Sequence, residues 1–317
     1  MKTSITILIM FCLCLLNGCK GKSSKSGEKP DSLQRITGTV SINETELNYF
    51  IEGEGYPCIV VTEGELISHA MSKELKKQFK FIFMNARMNI ANPGEIDKIT
   101  FNLLTEDVDL VRKTLNLEKV GVFGHSVAGL IALEYARNYP QHTNFVIMNG
   151  TPPYVNERYN DINKTYWEAN ASEERKKALT ERWKGISRDS LNKVGSSDAG
   201  KLVYILNSPR GFFDYKFEPT ILLKDTYWNM GVLNHIFGNL MVTYDLKQDK
   251  PIEAPVFLSL GKQDYMVPFI MWDDQKEKIP TLSLNLFEKS GHYPFFEEEK
   301  LFRSKVIDWL EKLKIKN

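Results

Sequence analysis

Short apolar runs alternate with amphipathic stretches along most of the chain, and the period of each run predicts its element. From Ile36 to Glu52 apolar and polar residues alternate around a turn at Asn43 and Glu44, the pattern of an antiparallel hairpin. CIVVT (58–62) and FKFIFMN (79–85) are dense in branched and aromatic residues, as in buried strands, and SHAMSKELKKQF between them reads as a helix. Phe101, Leu104, Val108, Val111 and Leu115 recur at three- and four-residue steps, which makes one apolar stripe of a helix. KVGVF then reads as a strand, AGLIALEYARNY as a helix stopped by Pro140, and NFVIMN as another strand.

Strands alternating with helices predict an α/β fold with a doubly wound, mostly parallel sheet. The alternation stops at GTPP. Residues 152–250 are helix-like, charged and rich in Tyr, Trp and Phe, with no strand periodicity. It resumes at PVFLSLG (255–261), followed by a helix, TLSLNLF (281–287) and a last helix from about Phe295 to Lys314. The expected layout is therefore a sheet core from 34–151 and 251–317, with 152–250 as a helical cap.

The amino terminus carries a different signal. Lys2 precedes an apolar run from Ile5 to Leu16 that falls short of the ~20 residues of a membrane-spanning helix. Leu16, Gly18 and Cys19 in LLNGCK resemble a bacterial lipobox, which implies a signal peptide at 1–18 and lipid on the Cys19 sulfur. Residues 20–30 contain no large apolar side chain and 19–33 read as a flexible linker, so the expected location is the bacterial cell envelope, anchored to a membrane by Cys19. Cys12 and Cys14 fall in the signal, which leaves Cys58 alone in the folded part with no disulfide partner. With 41 basic against 40 acidic residues, no net field favours nucleic acid.

The chemistry concentrates in VGVFGHSVAGL (120–130), where a strand runs into a helix through Ser126. A serine there is either a helix cap or a nucleophile. As a nucleophile at a sharp turn it needs small residues two before and two after, and Gly124 and Ala128 supply them. GHSVAG with its following helix resembles the nucleophile elbow of the α/β-hydrolase superfamily, with Ala128 in place of the usual last glycine. That resemblance implies a partner acid after a late strand and a histidine after the last one. Asp264 in LGKQDYMVP and His292 in EKSGHYPFF stand there, in the order serine, acid, histidine. The implied triad is Ser126, Asp264 and His292; His125 is expected to point into the supporting core, and His69, His142 and His235 to be packing or surface residues.

The same resemblance places oxyanion donors at the amides of Val127 and Glu65. Relatives often carry His-Gly in the loop after the third strand, whereas this chain reads VVTEGELI. Glu63 in the histidine's place either points away, is protonated, or binds a cationic part of the substrate. A second loop, FMNARMNIANPGE, keeps Arg87 of an Asp-Arg-Gly motif but has Asn85 and Met88. The implied activity is acyl transfer from a small, partly apolar or aromatic ester to water, with Trp167 and Trp228 of the cap as candidate substrate contacts. A proline iminopeptidase-like aminopeptidase and a noncatalytic small-ligand-binding lipoprotein are the alternatives. No cofactor is implied, no histidine pair has zinc spacing, so no metal is expected, and oligomeric state is not specified.

Overall fold

The computed structural model describes residues 34–42, 44–193, 195–247 and 250–315. The expected signal at 1–18, the linker at 19–33 with Cys19, and the hairpin residue Asn43 lie outside them. Among the described residues there are eight strands: β1 (Ile36–Ile42), β2 (Thr45–Glu52), β3 (Tyr56–Val60), β4 (Phe79–Asn85), β5 (Val120–His125), β6 (Thr143–Asn149), β7 (Val256–Gly261) and β8 (Leu282–Phe287). They form one sheet in the order β1-β2-β4-β3-β5-β6-β7-β8. The β1–β2 and β2–β4 pairs are antiparallel and the remaining neighbours are parallel.

The two faces of the sheet are chemically distinct because strand side chains alternate. Ile82, Met84, Val122, Val146 and Leu258 point to an aliphatic layer, which the helices α2 (Phe101–Thr114) and α3 (Ala128–Asn138) cover with Leu104, Val108, Leu130 and Leu133. Phe81, Phe83, Phe123, Phe145 and Phe257 point the other way. There α1 (Gly64–Ala70) and the last long helix (Glu299–Lys312) pack Leu66, Ile67, Phe302 and Val306 against an aromatic layer. A register slip of one residue would exchange these faces and drive the rings of one layer into the aliphatic space of the other, at about 1–3 kcal/mol for each overpacked side chain.

Two helical expectations differ from the structure. The single helix predicted over 68–79 is α1 plus a short turn at Lys73–Lys76, separated where Ser72 caps the second piece by accepting the Leu75 N–H at 3.0 Å. The helix expected after β7 is replaced by two 3₁₀ turns, Phe269–Trp272 and Lys276–Lys278. Pro268 and Pro280 bracket that segment, and the buried Trp272 fixes it by donating from Nε1 to Thr151 O at 2.8 Å.

Between β6 and β7 the described residues form helices and turns and no strand. The longer helices are α4 (Glu157–Asn170), α5 (Glu173–Trp183), α6 (Ser196–Leu206) and the shorter α7 (Met230–His235). Polar side chains bind α4 to the segment after β7: Tyr159 Oη and Asn163 Nδ2 donate to Met266 O, at 2.8 and 2.6 Å, and Tyr166 Oη to Lys262 O at 2.9 Å. Buried Arg175 of α5 donates to the carbonyls of Pro209, Phe212 and Phe213 at 2.6–2.7 Å, so its charge is satisfied by backbone oxygens rather than a carboxylate. Among the described residues no helix is long and apolar enough to cross a membrane.

Candidate active site

The turn from β5 into α3 carries Ser126 at φ +55, a left-handed conformation that is strained for a residue with a Cβ. Its amide donates to Asn149 O at 2.8 Å, which ties the strained residue to the end of β6. Gly124 makes the turn sterically feasible, since a Cβ there would overlap the Ala128 carbonyl. The Ser126 hydroxyl is left half-buried on the wall of a cavity of about 780 Å³ and makes no hydrogen bond among the described residues.

His292 lines the same cavity, in the loop after β8. Its Nδ1 lies 2.7 Å from Asp264 Oδ2, while Asp264 Oδ1 accepts the amides of Met266 and Val267, each at 2.8 Å. Asp264 is fully buried, so with both its oxygens engaged it fixes the imidazole with Nδ1–H donating. Nε2 is then the ring nitrogen without a hydrogen-bond partner among the described residues. The backbone is held as firmly: His292 N donates to Gly211 O at 2.6 Å. Gly150, at φ +54, makes room for the ring, because a Cβ there would sit 2.7 Å from His292 Nδ1.

His125 is buried as expected, yet it also borders the cavity. Its ring stacks on Tyr293 with centroids 4.2 Å apart and meets His292 edge-on at 4.5 Å. Nε2 lies 3.1 Å from His292 O, so Nε2 donates and Nδ1 is a buried acceptor without a partner. Burial, reinforced by repulsion from His292, holds its pKa well below the ordinary histidine value, and the ring is neutral.

The loop after β3 borders the site. β3 ends at Val60 and α1 starts at Gly64, so the residues that face the cavity are Thr62 and Glu63. Glu65 does not line it, and its carboxylate pairs instead with Arg35 at 2.6 Å. Val127, directly after Ser126, does line it. Asn89 organises this loop from outside: its Oδ1 accepts the Thr62 hydroxyl at 2.6 Å and the Glu63 amide at 2.9 Å. Glu63 is left-handed at φ 56, ψ 37 and caps nothing with its side chain. Burial raises its carboxyl to about 7, against a lowering influence from the facing Trp228 indole and from His292. Trp228 Nε1 nevertheless makes no hydrogen bond of good geometry, so the two groups face each other loosely.

Of the two candidate tryptophans, Trp228 lines the cavity and Trp167 does not. Trp167 turns its α4 face to Tyr265, edge-on at 5.3 Å, and the Arg210 guanidinium stacks on it at 5.0 Å. It fastens the helical segment to the core. The cavity roof comes instead from Val203 and Tyr204 of α6, Met230 and Leu233 of α7, and Phe237. Met88 also reaches the cavity, while Arg87 beside it turns inward and grips Asp107 through Nε at 2.7 Å and Nη2 at 3.0 Å.

Sequence reasoning had no signal for Asn89 or Gly150. Glu297 was equally hidden: it accepts the amides of Gly291 at 2.8 Å and Phe213 at 2.6 Å, but stands in a run of three glutamates that reads as a solvated face.

A parallel sheet with an antiparallel hairpin edge, a serine at a strained strand-to-helix turn, and a carboxylate-held histidine after the last strand define an α/β-hydrolase architecture. The profile described as alpha/beta hydrolase fold matches residues 64–299, and the chain belongs to that family, as a hydrolase of the superfamily. It is similar to the AB hydrolase superfamily protein YclE of Bacillus subtilis (strain 168), 28% identical over 273 residues, or 84% of this chain and 95% of the relative. A proline iminopeptidase of Heyndrickxia coagulans is 24% identical over 220 residues, 66% of this chain and 72% of that protein. Among solved structures, an alpha/beta fold family hydrolase from Bacillus anthracis str. Sterne aligns with a TM-score of 0.65 at 21% identity, covering 86% of this chain and 99% of that one.

Proposed function

We propose that the protein is a serine hydrolase that cleaves a small, partly apolar ester through an acyl-enzyme. The observation that carries this reading is the 2.7 Å bond between Asp264 and His292 behind a cavity that Ser126 shares. Asp264 orients the imidazole; His292 Nε2 takes the Ser126 proton as Oγ attacks the acyl carbon. The alcohol leaves with that proton, and a water activated by the same Nε2 then releases the acid and restores Ser126.

The tetrahedral oxyanion is assigned to the Val127 amide and to a second donor in the first turn of α1. There the Gly64 and Glu65 amides lack intrahelical acceptors. Val203, Leu233, Met230 and Trp228 supply an apolar wall for the acyl or alcohol group.

A fluorophosphonate probe tests the proposal. Stoichiometric labelling of the native protein, absent in Ser126→Ala, is the expected result, and no labelling between about pH 6 and 9 sinks it in favour of a noncatalytic binder. A panel of p-nitrophenyl esters beside proline and alanine arylamides separates esterase from aminopeptidase activity. For location we propose a lipid anchor on Cys19, with Cys19→Ala expected to move the protein from the membrane fraction to the soluble one.

A further inference from the structure

We infer that the Glu63 carboxylate is a recognition subsite for a protonated amine, so that the preferred ester carries an ammonium group. This rests on the serine-hydrolase reading above and deepens it.

The backbone gives the first argument. Glu63 occupies a left-handed position where glycine sits without strain and where a side chain costs roughly 1–2 kcal/mol. The fold gives the carboxylate no firm partner: it caps no helix end, the Trp228 indole faces it without a well-formed hydrogen bond, and among the described residues no Lys, Arg or His lies within ion-pair distance of it. Its loop is held through the amide by Asn89 instead. A carboxylate held at a strained, cavity-facing position without a protein cation is placed to meet a cation from outside.

Its surroundings suit an ammonium. Trp228 and Tyr204 line the cavity beside it, their rings edge-on to each other at 5.7 Å, and aromatic walls attract cations through their π faces. Among the described residues the arginine on the cavity wall, Arg210, is engaged elsewhere: its guanidinium lies over Trp167 and donates to Asn163 Oδ1 and to Tyr265 O. With a carboxyl near 7, Glu63 is only partly ionised in neutral solution, and a bound cation completes that ionisation by direct attraction. Among the described residues the other cationic groups on the cavity wall are Arg210, held by Asn163 and Tyr265, and the imidazolium that forms transiently on His292.

Matched esters test this and report which half of the substrate carries the amine. The acyl-side pair is the p-nitrophenyl esters of L-alanine and of isobutyrate, in which a methyl replaces the ammonium. The alcohol-side pair is 2-aminoethyl acetate and n-propyl acetate. In Glu63→Gln, the ratio of kcat/KM for the charged member to that for its neutral partner is expected to fall about tenfold or more in one pair. Equal loss for both members of each pair, or no loss, overturns the subsite and assigns Glu63 to support of His292 or of the loop. Fluorophosphonate labelling of Ser126 is read in parallel. Retained labelling in Glu63→Gln shows an intact site, and protection from it by isobutylamine but not isobutanol reads the subsite without turnover. A native protein that neither labels nor cleaves overturns the hydrolase reading, and this inference with it.

Discussion

Glu297 grips His292 from both flanks: one carboxylate oxygen accepts the amides of Gly291 and Tyr293, at 2.8 and 3.3 Å, while the other takes Phe213 N at 2.6 Å. A single side chain thereby fixes the histidine loop and joins it to the helical segment above. Glu297→Ala strands three amides at about 1–3 kcal/mol for each one left buried and unpaired, and frees the loop. Because Glu297 acts through His292 and touches no substrate, kcat is expected to fall with KM nearly constant. Glu297→Gln, which keeps one acceptor oxygen, should be intermediate. Steady-state kinetics beside urea midpoints check this; a changed midpoint with unchanged kcat would reduce Glu297 to a structural brace.

Two groups near the site give stability opposite pH dependences. Burial raises the Glu297 carboxyl from 4.5 to about 7, although three amide bonds pull it down. The folded protein therefore holds this proton more tightly than the unfolded chain; the resulting stability is full below pH 4.5 and lost as pH rises through about 7. His125 is depressed from 6.5, so its contribution is present above pH 6.5 and lost as pH falls toward its folded value. Glu297→Gln should flatten the decline between about pH 4.5 and 7, and His125→Gln should soften the acid side. Urea midpoints measured across that range for both variants separate the two slopes.

Gly150 tests how closely the imidazole is cradled. Gly150→Ala combines left-handed backbone strain of roughly 1–2 kcal/mol with a methyl group driven into the His292 ring. Displacing that ring by about 1 Å should slow the reaction roughly a hundredfold. Gly185→Ala is the control, since Gly185 has φ +78 but nothing near its Cβ, and it should show the stability loss alone. Comparable losses of labelling rate in both variants would mean the cradle is unimportant.

The parts of the fold legible in the sequence are those set by local periodicity. The alternation that sends Phe81 and Phe83 one way and Ile82 and Met84 the other is written in adjacent letters, as is the small-residue frame around Ser126. What escaped depends on where a chain end or a distant loop lands. The sequence left three orientations open for Glu63, and only the place where β3 ends and α1 begins turns its side chain to the cavity, because strand ends carry weak signals. Trp167 and Trp228 look alike in a stretch of helical, aromatic sequence, and only the docking of α4 onto Tyr265 turns one inward and away from the cavity. Asn89 and Glu297 act on backbone amides far along the chain or across a turn, a role that leaves no pattern in residue type.

The buried pair of Arg87 and Asp107 extends control of the cavity to residues well outside it. Arg87 also donates from Nη1 to Pro93 O at 2.6 Å, so the guanidinium shapes the loop from which Met88 enters the cavity and Asn89 holds Thr62 and Glu63. Removing one partner leaves an uncompensated buried charge, and Arg87→Met is expected to cost about 3–5 kcal/mol. Replacing both charges by apolar groups removes that penalty. Arg87→Met with Asp107→Leu should therefore recover most of the stability in urea unfolding. Activity need not follow, because the Pro93 contact is still lost and Asn89 is less firmly placed. A double variant that regains its urea midpoint but stays slow on neutral esters would show that the pair serves loop geometry as well as folding. Full recovery of both would confine it to stability, and no recovery of either would mean that packing around the guanidinium, rather than charge, holds the loop.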